Sequence, residues 1–127
     1  MKQALIVGLG GAIGSIARWA LGGAILHRLP NLKFPLGTFA VNILGCLLIG
    51  IIAGLAERRG VFSSDARLFL MTGLCGGFTT FSAFSVEMAA MMERGELAAA
   101  AAYAVSSVAG ALLLLFAGLW LARTAAA

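Results

Sequence analysis

Four long apolar runs are separated by short polar breaks, and each run is long enough for a helix that crosses the hydrocarbon layer, which takes about 20 residues. They cover roughly residues 3–26, 36–56, 66–92 and 97–122. The breaks carry turn chemistry. Residues 27–35 hold His27, Asn31 and both prolines; 57–65 hold Gly60 and two serines; and Glu93 to Glu96 surround Gly95. Ser64 or Asp65 is placed to cap the third helix. An even number of spans puts both termini on one side of the membrane. The pattern predicts an all-α membrane protein with four transmembrane helices in a single domain over residues 1–127.

The third run departs from a plain membrane helix. Gly73-Leu-Cys-Gly-Gly-Phe-Thr-Thr-Phe-Ser-Ala-Phe-Ser85 places paired glycines and a row of hydroxyls at mid-span. An unpaired backbone amide or carbonyl in hydrocarbon costs several kcal/mol, so irregular backbone at that depth survives only where protein, water or an ion satisfies it. The segment predicts a break at Gly76 to Thr79 and a functional centre there. Exposed carbonyls suit a small hard cation, whereas half-helix amino ends and hydroxyls suit an anion.

Small and polar residues recur at helical spacing on the other spans: Gly10, Gly14, Arg18 and Gly22; Thr38, Asn42, Cys46, Gly50 and Gly54; Tyr103, Ser106, Ser107 and Gly110. Small residues let helices approach closely, but close packing does not account for Asn42 or Arg18. Four short helices do not readily enclose a polar path, so these faces predict oligomerisation.

Composition fixes the class. The chain is 61% hydrophobic and 11% charged, with mean hydropathy +1.03, outside the range of ordinary soluble domains. The net charge of +4 is spread over ends and connections with no basic, aromatic-laced patch, which argues against nucleic acid as a partner and for membrane lipid. Lys2, Arg58, Arg59, Arg67 and Arg123 lie on the terminal side against Arg28, Lys33 and Arg94 opposite, with Arg18 nearly levelling the count. So weak a bias permits insertion in either orientation, and equally a slight preference for one. Lys2 precedes a run too long for a signal peptide and interrupted by Arg18, so the first run is read as a retained helix. Cys46 and Cys75 fall in apolar runs, say nothing of redox compartment, and do not make a metal site by themselves.

Several residues carry candidate chemistry, each with a plainer alternative. Phe81 and Phe84, three apart, share a helix face beyond the break; ring edges are positive and can face an anion, or the rings simply pack. Asn42 both donates and accepts, as a ligand or as interhelical glue. Tyr103, Ser106 and Ser107 supply donors or helix contacts. Arg18 either draws anions to a vestibule or caps carbonyls. Glu87, the only carboxylate well inside a span, lines an aqueous mouth or ties helices together. His27 reads as solvated, and Met88, Met91 and Met92 as packing. With no nucleophile–base pair, phosphate loop or ligand cluster, the chain does not read as an enzyme.

The Gly-Gly-Phe-Thr-Thr-Phe-Ser-Ala-Phe run, Gly37-Thr-Phe-Ala-Val-Asn42 and Gly14-Ser-Ile-Ala-Arg-Trp19 together resemble the Fluc, or CrcB-type, fluoride channels across all four helices. That resemblance implies a passive, fluoride-selective channel of the cell (inner) membrane that exports cytoplasmic fluoride. It also implies an antiparallel, dual-topology homodimer with two pores and a central structural sodium ion. By motif, Phe81 and Phe84 are similar to the aromatic box and Asn42 to its amide partner. Thr38, Ser82, Tyr103 and Ser107 are similar to the hydrogen-bonding groups of the path, Arg18 and Glu87 to charged residues at its two mouths. Gly76 and Thr79 would give backbone carbonyls to sodium. The rival, a proton-driven four-helix multidrug carrier, needs a carboxylate deep in its chamber, commonly on the first helix, which here holds none.

Overall fold

A computed structural model describes residues 1–30, 33–57 and 61–125. Its elements are α1 (Lys2–Arg28), α2 (Leu36–Ala56), α3 (Ser64–Arg67), a π-helical stretch (Leu68–Cys75), α4 (Gly76–Phe78), α5 (Phe81–Glu93) and α6 (Leu97–Thr124). The pieces from Ser64 to Glu93 make one interrupted span, so among the described residues four helical segments are long and apolar enough to cross a membrane. The expected bounds of α2 match to the residue, while α1 and α6 run one or two residues further at their ends. His27 therefore lies in the last turn of α1 instead of a connection. The cap of α3 falls on Ser63, one residue ahead of the expected pair: its hydroxyl accepts from the Ala66 amide at 3.1 Å. Gly95 takes φ +74°, the left-handed conformation that lets α5 stop and α6 turn back after it. Asn31, Arg58, Arg59 and Gly60, expected in turns or counted for orientation, lie outside the described residues.

The helices pack in two tight pairs, α1 against the third span and α2 against α6. Small residues are what allow it. A Cβ on Gly14 would sit 2.2 Å from the Leu74 carbonyl, and one on Gly77 would sit 2.4 Å from the Gly11 carbonyl. On the other pair, a Cβ at Gly50 would meet the Leu115 carbonyl at 2.3 Å. These neighbours are backbone and cannot swing aside. Gly14→Ala is thus expected to reduce the folded, monodisperse fraction in detergent several-fold, since overpacking costs about 1–3 kcal/mol. Gly8→Ala, which meets nothing within 4 Å, should leave size-exclusion elution unchanged, and equal behaviour of the two variants would refute this packing.

On the terminal side, ion pairs join element ends: Lys2 to Asp65 at 2.6 Å and Arg123 to Glu57 at 2.7 Å. The hydrogen bond from Arg123 holds the Glu57 carboxyl below its usual range. Arg67 donates to the Ala56 carbonyl, satisfying one of the orphan acceptors at the end of α2.

Candidate functional site

The third span breaks at Thr79 and Thr80, both extended, with φ, ψ of −84°, 158° and −151°, 117°. Gly76 and Gly77 are helical, so the expected break is present but centred at the end of the glycine-rich run. The two glycines have different uses. Gly77 lets α1 approach, while Gly76 is exposed on the single chain. Shortly before the break lies the eight-residue π stretch; wider turns of this kind are rare and frequently accompany functional sites.

A break at this depth strands backbone groups, and one side chain answers for two of them. Asn42 Nδ2 donates to the Thr80 carbonyl at 2.9 Å, while Asn42 Oδ1 accepts from the Thr80 amide at 2.7 Å. The amide thus imitates a strand partner for Thr80. Its second N–H and second lone pair are left over. Thr80 is itself the N-cap of α5, its hydroxyl accepting from the Ala83 amide at 3.2 Å. Thr79 Oγ1 returns to the Cys75 carbonyl at 3.0 Å.

Several backbone groups stay unspent at the break among the described residues, two carbonyls and two amides among them. No donor reaches the Gly76 or Thr79 carbonyl, and no acceptor reaches the Phe81 or Ser82 amide at the start of α5. The carbonyls are neutral, hard oxygen donors, and the amides form the positive end of a 13-residue helix. For the implied sodium ion the donor chemistry fits: Gly76 and Thr79 offer unengaged carbonyls, with no carboxylate cluster competing among the described residues.

Beside the break is a cavity of about 370 Å³ lined by Asn42, Thr79, Thr80, Phe81, Phe84 and Ser107 with apolar neighbours. None of the described residues lining it is charged. Phe81 and Phe84 have ring centroids 5.4 Å apart, tilted at 34°. Ser107 Oγ is buried without a hydrogen-bond partner. A buried hydroxyl normally finds one, so this orphan, facing the same cavity as the rings and the Asn42 amide, marks a place for a polar guest.

A second cavity, also about 370 Å³, is lined by Lys33, Phe34, Thr38 and Glu87 among others. Thr38 donates to Glu87 Oε1 at 2.6 Å and Tyr103 to Oε2 at 2.7 Å, so both carboxylate oxygens are held. Tyr103 is 0% exposed. Its ring packs on Phe84 at 4.9 Å and on Phe34 at 5.1 Å, linking the rings of the first cavity to the wall of the second. Tyr103→Phe keeps those stacks and deletes one buried hydrogen bond, worth about 0.5–1.5 kcal/mol. The expected result is a lower melting temperature in detergent, and an unchanged one would mean that Glu87 does not depend on the phenol.

The sequence candidates separate accordingly. Phe81, Phe84, Asn42 and Ser107 converge on one cavity; Thr38 and Glu87 line the other; Tyr103 lies between. Ser82 is exposed and pairs with the Thr80 hydroxyl at 3.2 Å, lining neither cavity. Arg18 is half-buried on α1, lines neither, and has no hydrogen bond among the described residues. Sequence reasoning left out Thr80, whose backbone is the object of the Asn42 clasp, and Lys33 and Phe34, which wall the second cavity. Phe34 carried one usable signal: an aromatic residue directly ahead of the Pro35 that opens α2.

A multi-pass membrane protein whose discontinuous span borders an uncharged cavity of aromatic, hydroxyl and amide groups belongs to the class built to handle small solutes within the bilayer. The chain is a member of the CrcB-like family: the profile described as "CrcB-like protein, Camphor Resistance (CrcB)" matches residues 5–119. It is 50% identical to the fluoride-specific ion channel FluC of Methylobacillus flagellatus, over 97% of this chain and 96% of that one. It is 52% identical to the protein of the same name from Phenylobacterium zucineum, over 97% of each. The Rhizobium leguminosarum bv. trifolii protein, likewise so named, is 48% identical over 99% of this chain and all of its own.

Proposed function

We propose that this chain is a passive fluoride channel of the bacterial inner membrane, working as an antiparallel homodimer with two pathways and a sodium ion between them. The observation that carries the reading is the orphan Ser107 hydroxyl sharing one cavity with Phe81, Phe84 and the Asn42 amide. The names of the relatives point the same way.

Fluoride is small and strongly hydrated, so a narrow path must replace water with several weak partners and still let go. Hydroxyl, amide N–H and ring edges supply that without a full positive charge, which would retain the ion. The amino end of α5 adds a fixed positive potential at the break. The membrane potential then sets direction: negative inside, it drives the anion out of the cell.

Support for a dimer comes from what a single chain leaves open. Phe81 is 79% exposed, and Gly76, whose carbonyl is unspent and which lines the same cavity, is exposed as well. Neither arrangement suits lipid; a second copy would cover both. On a two-fold axis the Gly76 and Thr79 carbonyls would be doubled, and they are the residues that would hold sodium. When bound, that ion supplies a positive field between the two pathways and ties the subunits.

Purified protein in liposomes loaded with potassium fluoride should release fluoride when valinomycin clears the counter-charge, as read by a fluoride electrode, with no matching chloride release. Efflux no faster than from protein-free vesicles, or chloride flux of equal size, would overturn the reading.

A further inference from the structure

The first cavity has a second chemical character, one turn away from the break. Besides the groups already described, its lining contains Cys46, Cys75 and Met71. Both cysteines are free. The register between α2 and the third span, set by Asn42 on Thr80 and by Gly45 against the Thr79 side chain, leaves Cys46 of α2 and Cys75 of the third span lining the same cavity. Met71, one turn ahead of Cys75 on the π stretch, adds a thioether. Two thiols and a thioether in an uncharged pocket form a soft donor set, which selects monovalent copper or silver over hard ions. Neither cysteine alone would define such a site; the three sulfurs sharing one cavity do.

We propose that Cys46, Cys75 and Met71 form a binding site for one soft monovalent cation of the Cu(I) or Ag(I) class. One thiol gives up its proton to solvent and its thiolate bonds the cation; the other thiol and the thioether coordinate as neutral donors. Charge is then conserved within the pocket: one positive ion enters, one proton leaves, and the complex is neutral, as an apolar cavity favours. Because Phe81, Phe84 and Ser107 line the same cavity, the bound metal occupies room the anion needs, and fluoride flux stops. This last consequence rests on the fluoride reading above; the binding itself does not.

The test uses the full-length protein in detergent with silver nitrate in chloride-free buffer, silver fluoride being soluble enough for the flux arm. After gel filtration, one silver per chain and one proton released per silver are expected. Cys46→Ala and Cys75→Ala should each lower retained silver at least tenfold, and Met71→Leu should weaken it several-fold, with circular dichroism confirming that each variant is folded. In liposomes, stoichiometric silver should arrest fluoride flux through the wild-type protein. Two silver ions per chain with each cysteine variant losing one would reveal independent thiols and overturn the site, as would silver retained by the double variant. Silver bound at one per chain in a protein that conducts no fluoride would leave the site standing and remove the channel reading instead.

Discussion

Asn42→Asp is expected to reduce fluoride flux by roughly 100-fold while the protein still elutes as the wild-type oligomer. The native amide does two things at once: it closes the backbone of Thr80 at 2.9 and 2.7 Å and offers its remaining N–H to the cavity. Aspartate can still accept from the Thr80 amide, but it withdraws the donor to the Thr80 carbonyl and introduces a negative charge. At about 6 Å and an effective dielectric of about 20, repulsion between that charge and a passing anion is about 3 kcal/mol, which corresponds to the stated loss. Asn42→Ala separates the two roles. It loses both clasping hydrogen bonds without adding charge, so flux through the alanine variant should exceed flux through the aspartate variant. Equal loss in the two would reduce Asn42 to a structural clasp, and unchanged flux in both would remove it from the pathway.

The contrast also explains what could be read from sequence. The four spans were legible because burial in hydrocarbon imposes a length, and α2 could be placed to the residue because Pro35 and Glu57 bracket an unbroken apolar run. Hydroxyls and glycines announced an interruption in the third span. Its position was shifted because two effects are superimposed there: Gly77 is small so that α1 can approach, whereas Thr79 and Thr80 carry the extended backbone. Composition alone cannot separate a glycine that bends from one that packs. The π stretch left no trace for a similar reason, since a change of hydrogen-bond register from i−4 to i−5 needs no particular residue.

Partnerships were the least legible part. Glu87 stood out as the lone carboxylate within a span, but its two clamps come from α2 and α6, 49 residues before it and 16 after it. The clasp of Asn42 is on a backbone 38 residues away. Such contacts are fixed by the pairing of helices, which the small-residue stripes predict only as a tendency to touch. One α2 stripe in fact serves several neighbours: Thr38 and Asn42 turn to the third span, while Gly50 and Gly54 receive α6.

Electrostatically, the two cavities differ. The first has no charged lining among the described residues; the second contains Lys33 and Glu87. A charge is tolerable where water can screen it and harmful at a constriction, where the same charge would trap or repel. Arg18 lies outside both cavities, and Lys33 is the basic residue among the described ones lining the second.

Phe81→Ile supplies the second decisive measurement, because it keeps apolar bulk and deletes the ring. In the single chain Phe81 is 79% exposed, so its loss takes little from the internal packing of the subunit. If the ring edge faces the anion, removing it forfeits a quadrupole contact of the order of an edge-to-face ring pair, about 0.5–1.5 kcal/mol, or roughly two- to tenfold in flux. Phe84→Ile should match that flux loss and add a stability defect, since Phe84 also packs on Tyr103 at 4.9 Å. The pair of variants therefore distinguishes edge-on anion contact from ordinary packing: wild-type flux through Phe81→Ile would leave the aromatic wall without a part in conduction.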